Sequence, residues 1–152
     1  FGYVKLWYAG ETDDGKYVAK NVAAFHEATG EWWFLDGSSI VEYQNDTFFD
    51  PLKAVAEWRR CIRNANTNLD KLGAPSLRKV VVGIIGTQNA QWPGRPEKKF
   101  RKPSMLHSAQ NAQWTAIDES VFLKDAFNIV RNGFAMEPLT QEAFDELVEK
   151  LV

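Results

Sequence analysis

Three sets of side chains in this 152-residue chain have the types and spacing to do chemistry. The first is acidic: Asp36, then Glu42 and Gln44. Glu42 and Gln44 are two apart on an extended run and so share one face, with Asp36 just across a tight turn. One carboxylate from each of two adjacent strands is what a magnesium-dependent phosphodiesterase needs, because the ion takes oxygen ligands and keeps waters that attack phosphate. A lysine or glutamine beside the second acid would orient that water. The second set is basic. Arg95, Lys98, Lys99, Arg101 and Lys102 are opposed only by Glu97, and Phe100 and Trp92 lie among or near them. Cations beside an aromatic platform are the ingredients of nucleic-acid backbone or single-strand binding. The third set, Glu11, Asp13 and Asp14, gathers in one turn, near enough to bind a hard cation. Each set also has a plainer reading: an exposed strand face, a solvated loop and a solvated turn.

Other chemistries are excluded by what is missing. One cysteine, Cys61, and two histidines, His26 and His107, cannot close a zinc site. Cys61 falls among helix residues with no histidine near it in sequence, which assigns it to packing. A lone cysteine allows no disulfide within the chain and fits a reducing, cytoplasmic setting. Gly83 and Gly86 lack the lysine and hydroxyl ending of a phosphate loop, and no Gly-x-Ser-x-Gly elbow is present. The net charge of −2 offers no global attraction to nucleic acid or acidic lipid, so any such affinity must be local. No apolar run approaches the roughly 20 residues of a membrane helix. The expectation is one domain over residues 1–152, large enough to bury a core, and with Phe1 already in strand-like sequence it reads as a fragment or the ordered part of a longer chain.

The elements that must position these residues follow from periodicity and turn chemistry. Tyr3 to Tyr8, Lys16 to Phe25 and Glu31 to Leu35 read as strands, separated by turns at Asp14-Gly15 and Thr29-Gly30. Ser38-Ser39 turns the chain into Ile40 to Gln44. Asp50 then caps a long helix with Pro51 at its first position, Val55, Ile62, Leu69 and Leu72 on its apolar stripe, Lys53, Arg59, Arg60 and Arg63 on other faces, and Gly73 and Pro75 at its end. Lys79 to Gly86 is a near-continuous apolar run, the pattern of a central strand buried on both faces and reached by a crossover. Thr87 to Ser104, with three prolines and no periodicity, reads as a long loop. Trp114 to Ile117 reads as a short strand. Asp118 caps a helix to Val130, closed by Gly133, and Thr140 caps a last one with Phe144, Leu147, Val148 and Leu151 on one stripe.

This order of elements resembles the nuclease-related domain (NERD) family of the PD-(D/E)xK nuclease-like superfamily. The residues that carry the resemblance are Gly30-Glu31-Trp32-Trp33-Phe34-Leu35-Asp36-Gly37, then Asp50-Pro51-Leu52-Lys53-Ala54 opening the helix, Lys79 to Gly86 after it, and Glu137-Pro138-Leu139-Thr140 before the last helix. The resemblance implies a restriction-endonuclease-like α/β fold: a mixed sheet with an N-terminal β-meander, a long crossover helix, a central buried strand and C-terminal helices. It also sets Val18-Ala19-Lys20-Asn21 in the family's Glu-x-Lys signature position, where Lys20 matches the lysine but Val18 replaces the metal-binding glutamate. Ala54 likewise replaces the helix glutamine, which implies a catalytically dead relative. Sliding the signature onto Ile40-Val41-Glu42-Tyr43-Gln44 restores Asp36 and Glu42 as magnesium ligands, with Gln44 in place of the lysine, and implies an active nuclease.

Three functions stay open at this stage. One is a non-catalytic nuclease-like module binding nucleic acid or a partner protein, with the Arg95 to Lys102 loop guiding a phosphate backbone. Another is an active nuclease that needs Mg2+, with a site along Lys20, Asp36, Glu42 and Gln44. The third is a protein-interaction domain or homo-oligomer in which the six tryptophans mark core and interface. No membrane partner is expected. The opening Gly2-Tyr3-Val4-Lys5-Leu6-Trp7 also has the look of a cold-shock-type barrel, in which the long helix would have no place.

Overall fold

The computed structural model describes residues 2–11, 17–26, 28–43 and 46–150, with side chains described from residue 22 onward within those ranges. The chain is a mixed α/β protein. Strands β1 (Gly2–Glu11), β2 (Tyr17–His26) and β3 (Glu31–Asp36) form the expected antiparallel meander. Gly30 turns β2 into β3 with a φ of 68°, a left-handed value that costs glycine little, and its N–H donates to the His26 carbonyl at 2.9 Å.

A second sheet holds β4 (Ile40–Tyr43), β5 (Asp46–Phe49), β7 (Gln91–Trp92) and β8 (Arg95–Lys99), in that order. Between β5 and β7 the pairing is parallel, Phe48 opposite Gln91. The chain between them runs through helix α1 (Pro51–Lys71) and strand β6 (Arg78–Ile85). Parallel neighbours need such a long excursion. Asp50 caps α1 as its sequence implies, accepting the Lys53 N–H at 3.0 Å, with Pro51 at the first helical position. Val55, Ile62 and Leu69 are buried along α1, whereas Leu72, expected on the same stripe, is the C-cap and is exposed.

Strand β6 differs from its expectation. It pairs antiparallel with β9 (Ser104–Asn111) in a two-stranded ribbon, Arg78 opposite Asn111 and Ile85 opposite Ser104. Val82 and Ile84 enter the core, but Val81 and Ile85 lie exposed on the other face. An unbroken apolar run therefore reflects a one-sided strand with an apolar exterior, not burial on both faces. The strand expected at Trp114 to Ile117 is absent from the described fold. Thr115 there is the N-cap of α2 (Ala116–Gly133), and Asp118, expected as the cap, is the third helical residue of a reciprocal capping box with it. Helix α3 (Gln141–Glu149) follows its Thr140 cap; Leu151 lies outside the described residues.

Two apolar clusters meet between these layers. Phe49, Ala54, Ile84, Phe100, Met105, Val130 and Phe134 form one, and Val55, Ile62, Val82, Phe122, Leu123, Phe127 and Phe144 the other. Trp58 and Trp92 pack against both. Among the described residues no helix is long and apolar enough to cross a membrane.

Candidate functional site

The segment expected to be a structureless loop is a hairpin. Strands β7 and β8 turn over Pro93-Gly94, where proline presets its own φ and Gly94 takes a φ of 70°. Both flanks are fastened to the core. The Trp92 ring meets Phe134 edge-on at 5.2 Å between centroids and Phe127 at 6.1 Å. Phe100, immediately after β8, is buried 4.9 Å from Phe134, and its N–H donates to the Ala90 carbonyl at 2.8 Å. Burial of one such ring contributes roughly 1.5–3 kcal/mol. The polar strand between these anchors is held in place by its ends.

That anchoring corrects the expected role of Phe100. Its ring belongs to the core and offers no face for a base to stack on. What the hairpin does present is charge. Arg95, Lys99, Arg101 and Lys102 are exposed, and Lys98 is half-buried, its Nζ donating to the Ala135 carbonyl at 3.0 Å. Gln88, Asn89, Glu97, Lys98, Lys99 and Arg101 line a recess of about 290 Å³ at the base of the hairpin. Arg131, from the last turn of α2, adds a further cation. Its guanidinium lies 5.8 Å from the centre of the Trp92 ring and its Nε donates to the Glu137 carbonyl at 2.7 Å. Partial burial and the like charge of Arg95 both depress its pKa, though it remains a cation throughout the physiological range. Sequence reading missed Arg131 because it is 36 residues from Arg95 and only the packing of α2 on the hairpin brings them together.

The acidic candidates are arranged differently. Asp36 ends β3 in the first sheet, and Glu42 sits exposed in β4 of the second, opposite Thr47. The Asp36 carboxylate fastens the turn between those strands. Oδ1 accepts from the Ser38 N–H at 2.9 Å and from the Ser38 hydroxyl, and Oδ2 accepts from the buried Ser39 hydroxyl at 2.6 Å. Burial pushes its pKa up, but these serine hydrogen bonds and the charge of Lys53 outweigh it and hold the pKa below the ordinary carboxylate value. Lys20 lies in β2, one position before the Asn21 that pairs with Asp36; its side chain, like all of Gln44, lies outside the described residues. The turn carrying Asp13 and Asp14 also lies outside them. Among the described residues no group of three or more histidine, cysteine or carboxylate side chains could hold a metal ion. Asp36 is thus committed to the turn, and of its expected partners only Glu42 has a described side chain.

A further charged cluster joins α1 to α2. Glu119 is buried in the first turn of α2 and accepts from the Arg59 Nε at 3.3 Å, from the Arg63 Nε at 2.9 Å and from the Arg63 Nη2, also at 2.9 Å. Arg60 pairs with Glu57 and lies 5.6 Å from the centre of the Phe34 ring of β3. The i, i+4 spacing of Arg59 and Arg63 was legible; their carboxylate, some 60 residues away, was not. No protein-family model, no curated protein and no solved structure matches this chain.

Proposed function

We propose that this protein is a nuclease-like module without a hydrolytic centre, and that it binds nucleic acid through the β7–β8 hairpin. The observation that carries this reading is the crowding of like charge on a rigid support. Arg95, Lys99, Arg101 and Lys102 stand exposed on a hairpin pinned by Trp92 and Phe100, with Arg131 close enough to Arg95 to feel its charge. Cations held together with little acidic relief are stabilised by a polyanion, and phosphate backbones supply one. The chain as a whole carries a net charge of −2, so the attraction is confined to this patch. With the Phe100 ring buried, phosphate contacts on this hairpin fit backbone binding rather than base reading. The Asp36 turn supports the non-catalytic half of the reading, as do Val18 and the buried Ala54 at the positions where the nuclease-related family has glutamate and glutamine. The lone Cys61 suits a cytoplasmic setting.

Binding of labelled single- and double-stranded DNA and RNA across a potassium chloride series tests this. With three or four phosphates engaged, the logarithm of affinity falls against the logarithm of salt with a slope of about −2 to −4. Lys99→Ala and Arg101→Ala each flatten that slope by about one. Binding that ignores both salt and these substitutions would sink the proposal. A second reading, a protein-binding surface, is favoured by one observation: Ile85 and Leu106 are 71% and 70% exposed on the outer face of the β6–β9 ribbon. Ile85→Lys with Leu106→Lys leaves nucleic-acid affinity intact if the hairpin is the functional surface.

A further inference from the structure

Helix α1 carries a basic recess that the hairpin does not use. Arg59 and Arg63 lie one turn apart on one side of the helix, with Arg60 beside them and the small side chain of Ala56 one turn before Arg59 and Arg60. The short alanine between long side chains leaves a groove of about 280 Å³, lined by Ala56, the three arginines and Asn64. Its walls are organised. Buried Glu119 holds the Nε of Arg59 and the Nε and Nη2 of Arg63, which fixes two guanidiniums that would otherwise repel and wander. A guanidinium has more N–H donors than Glu119 takes up from either arginine. Counting Glu57 and Glu119 against Arg59, Arg60 and Arg63, two carboxylates against three cations, leaves one positive charge in the groove.

We propose that this groove is a second, separate phosphate-binding site, in which Arg59, Arg60 and Arg63 grip a phosphate group and Glu119 pre-organises the first and third of them. Forked guanidiniums match phosphate oxygens in pairs, and guanidiniums already immobilised by a carboxylate lose little further freedom on binding. Asn64 supplies an uncharged amide at the rim. The phosphate belongs either to a nucleic-acid backbone or to a free phosphorylated small molecule. Glu119 and Arg131 sit at opposite ends of α2, roughly 18 Å apart along its axis at 1.5 Å per residue. One pyrophosphate therefore cannot bridge the groove and the hairpin, and the Arg59 and Arg63 resonances report on the groove alone, whereas an oligonucleotide has the length to engage both.

The test follows the arginine side-chain Nε–H resonances of the whole isotope-labelled chain during titration with inorganic pyrophosphate. Arg59 and Arg63 are expected to shift saturably, and Arg60→Ala to weaken that binding about tenfold, with Arg60→Lys restoring only part because an ammonium cannot fork. Arg60 makes no hydrogen bond to Glu119, so its replacement leaves the clamp between the helices in place, which unmoved Arg59 and Arg63 Nε–H resonances in the ligand-free variant confirm. A parallel titration uses an oligonucleotide and protein carrying Lys99→Ala and Arg101→Ala, which disables the hairpin alone. Residual oligonucleotide binding that Arg60→Ala abolishes assigns the groove to nucleic-acid backbone. A response to pyrophosphate but not to the oligonucleotide assigns it to a free phosphorylated ligand. Resonances of Arg59 and Arg63 that stay fixed under both titrations overturn the proposal and leave a purely structural clamp. Loss of hairpin binding in the Lys99 and Arg101 variants has no bearing on that outcome, so the two sites fail independently.

Discussion

Gly133 lies directly against the ring of Phe100: a Cβ built on Gly133 would stand 2.1 Å from the Phe100 Cε2. The last residue of α2 and the anchor of the basic hairpin are thus in contact at a distance that only glycine permits, and the Arg101 N–H donates to the Gly133 carbonyl at 3.1 Å. Position of the hairpin cations is set by this contact between helix end and strand end.

Gly133→Ala therefore forces the Phe100 ring out of its place. Helix propensity favours the alanine by about 1 kcal/mol, but overpacking against a buried ring costs about 1–3 kcal/mol. The expected net result is a loss of stability in urea unfolding, together with weaker nucleic-acid binding as Arg101 and Lys102 move. A companion Phe100→Leu makes room for the methyl group and recovers part of both. An alanine variant as stable as the parent, binding equally well, would show that the hairpin is not positioned from α2.

Asp36 predicts a pH dependence. Its folded-state pKa lies below the ordinary 3.8, so ionised Asp36 stabilises the fold at all pH above about 4. That contribution fades as pH falls from about 4 through the folded-state value, where the carboxylate takes up a proton. Asp36→Asn is expected to be less stable at pH 7 by about 1 kcal/mol or less, since the group is largely solvated. The difference from the parent narrows as pH falls below about 4. Melting curves at pH 7, 5 and 3 check this; a gap that widens in acid contradicts the assignment of Asp36 to the turn.

Cys61 is expected to be inert. Burial pushes its thiol up to about 11, with Arg60 lowering it and Glu57 raising it by less. At pH 8 the thiolate fraction then falls about a hundredfold below that of a thiol with the ordinary value of 9.0. A disulfide reagent should label the native chain at least about tenfold more slowly than the urea-unfolded one, because the more basic thiolate is also the more nucleophilic and offsets part of the hundredfold. The native rate should still climb with pH at pH 10, because its titration lies above that. Rapid native labelling would restore Cys61 as a candidate nucleophile.

What the sequence made legible was local. Asp50-Pro51 and Gly73 marked the ends of α1 because caps act through neighbouring residues, and Gly30 marked the β2–β3 turn for the same reason. The β7–β8 hairpin was hidden because Arg95-Pro96-Glu97-Lys98-Lys99 is polar on both faces and has no alternation to read. Its strand character comes from Trp92 and Phe100, which grip the core on either side. Strand β9 was hidden differently. Met105, His107 and Ala109 do alternate inward, but exposed Leu106 between the first two breaks the apolar–polar rhythm. The same blindness to which apolar residues face water turned β6 into a central strand. At the sites, the hairpin cations were visible as a run, whereas Arg131 beside Arg95 and Glu119 between Arg59 and Arg63 depend on how α2 packs, which no spacing encodes.

That packing makes the last prediction. Glu119 is the only carboxylate among the described residues that touches both Arg59 and Arg63, and it does so from a buried position. Glu119→Gln keeps the shape and can still accept a hydrogen bond, but removes the charge that offsets two guanidiniums. A carboxylate this well bonded is costly to lose, yet Arg59 and Arg63 are 29% and 50% exposed, so water takes up part of their charge. The expected cost is about 1–3 kcal/mol in urea unfolding at low salt. Added salt should return part of it in the variant, by screening the repulsion between the freed arginines, while doing little for the parent. Sulfate should return more than chloride at equal ionic strength, because it also offers the arginines oxygen acceptors in place of the lost carboxylate. A glutamine variant as stable as the parent at every salt would mean that Glu119 contributes only shape, and that the arginines of α1 are held apart by the helix alone.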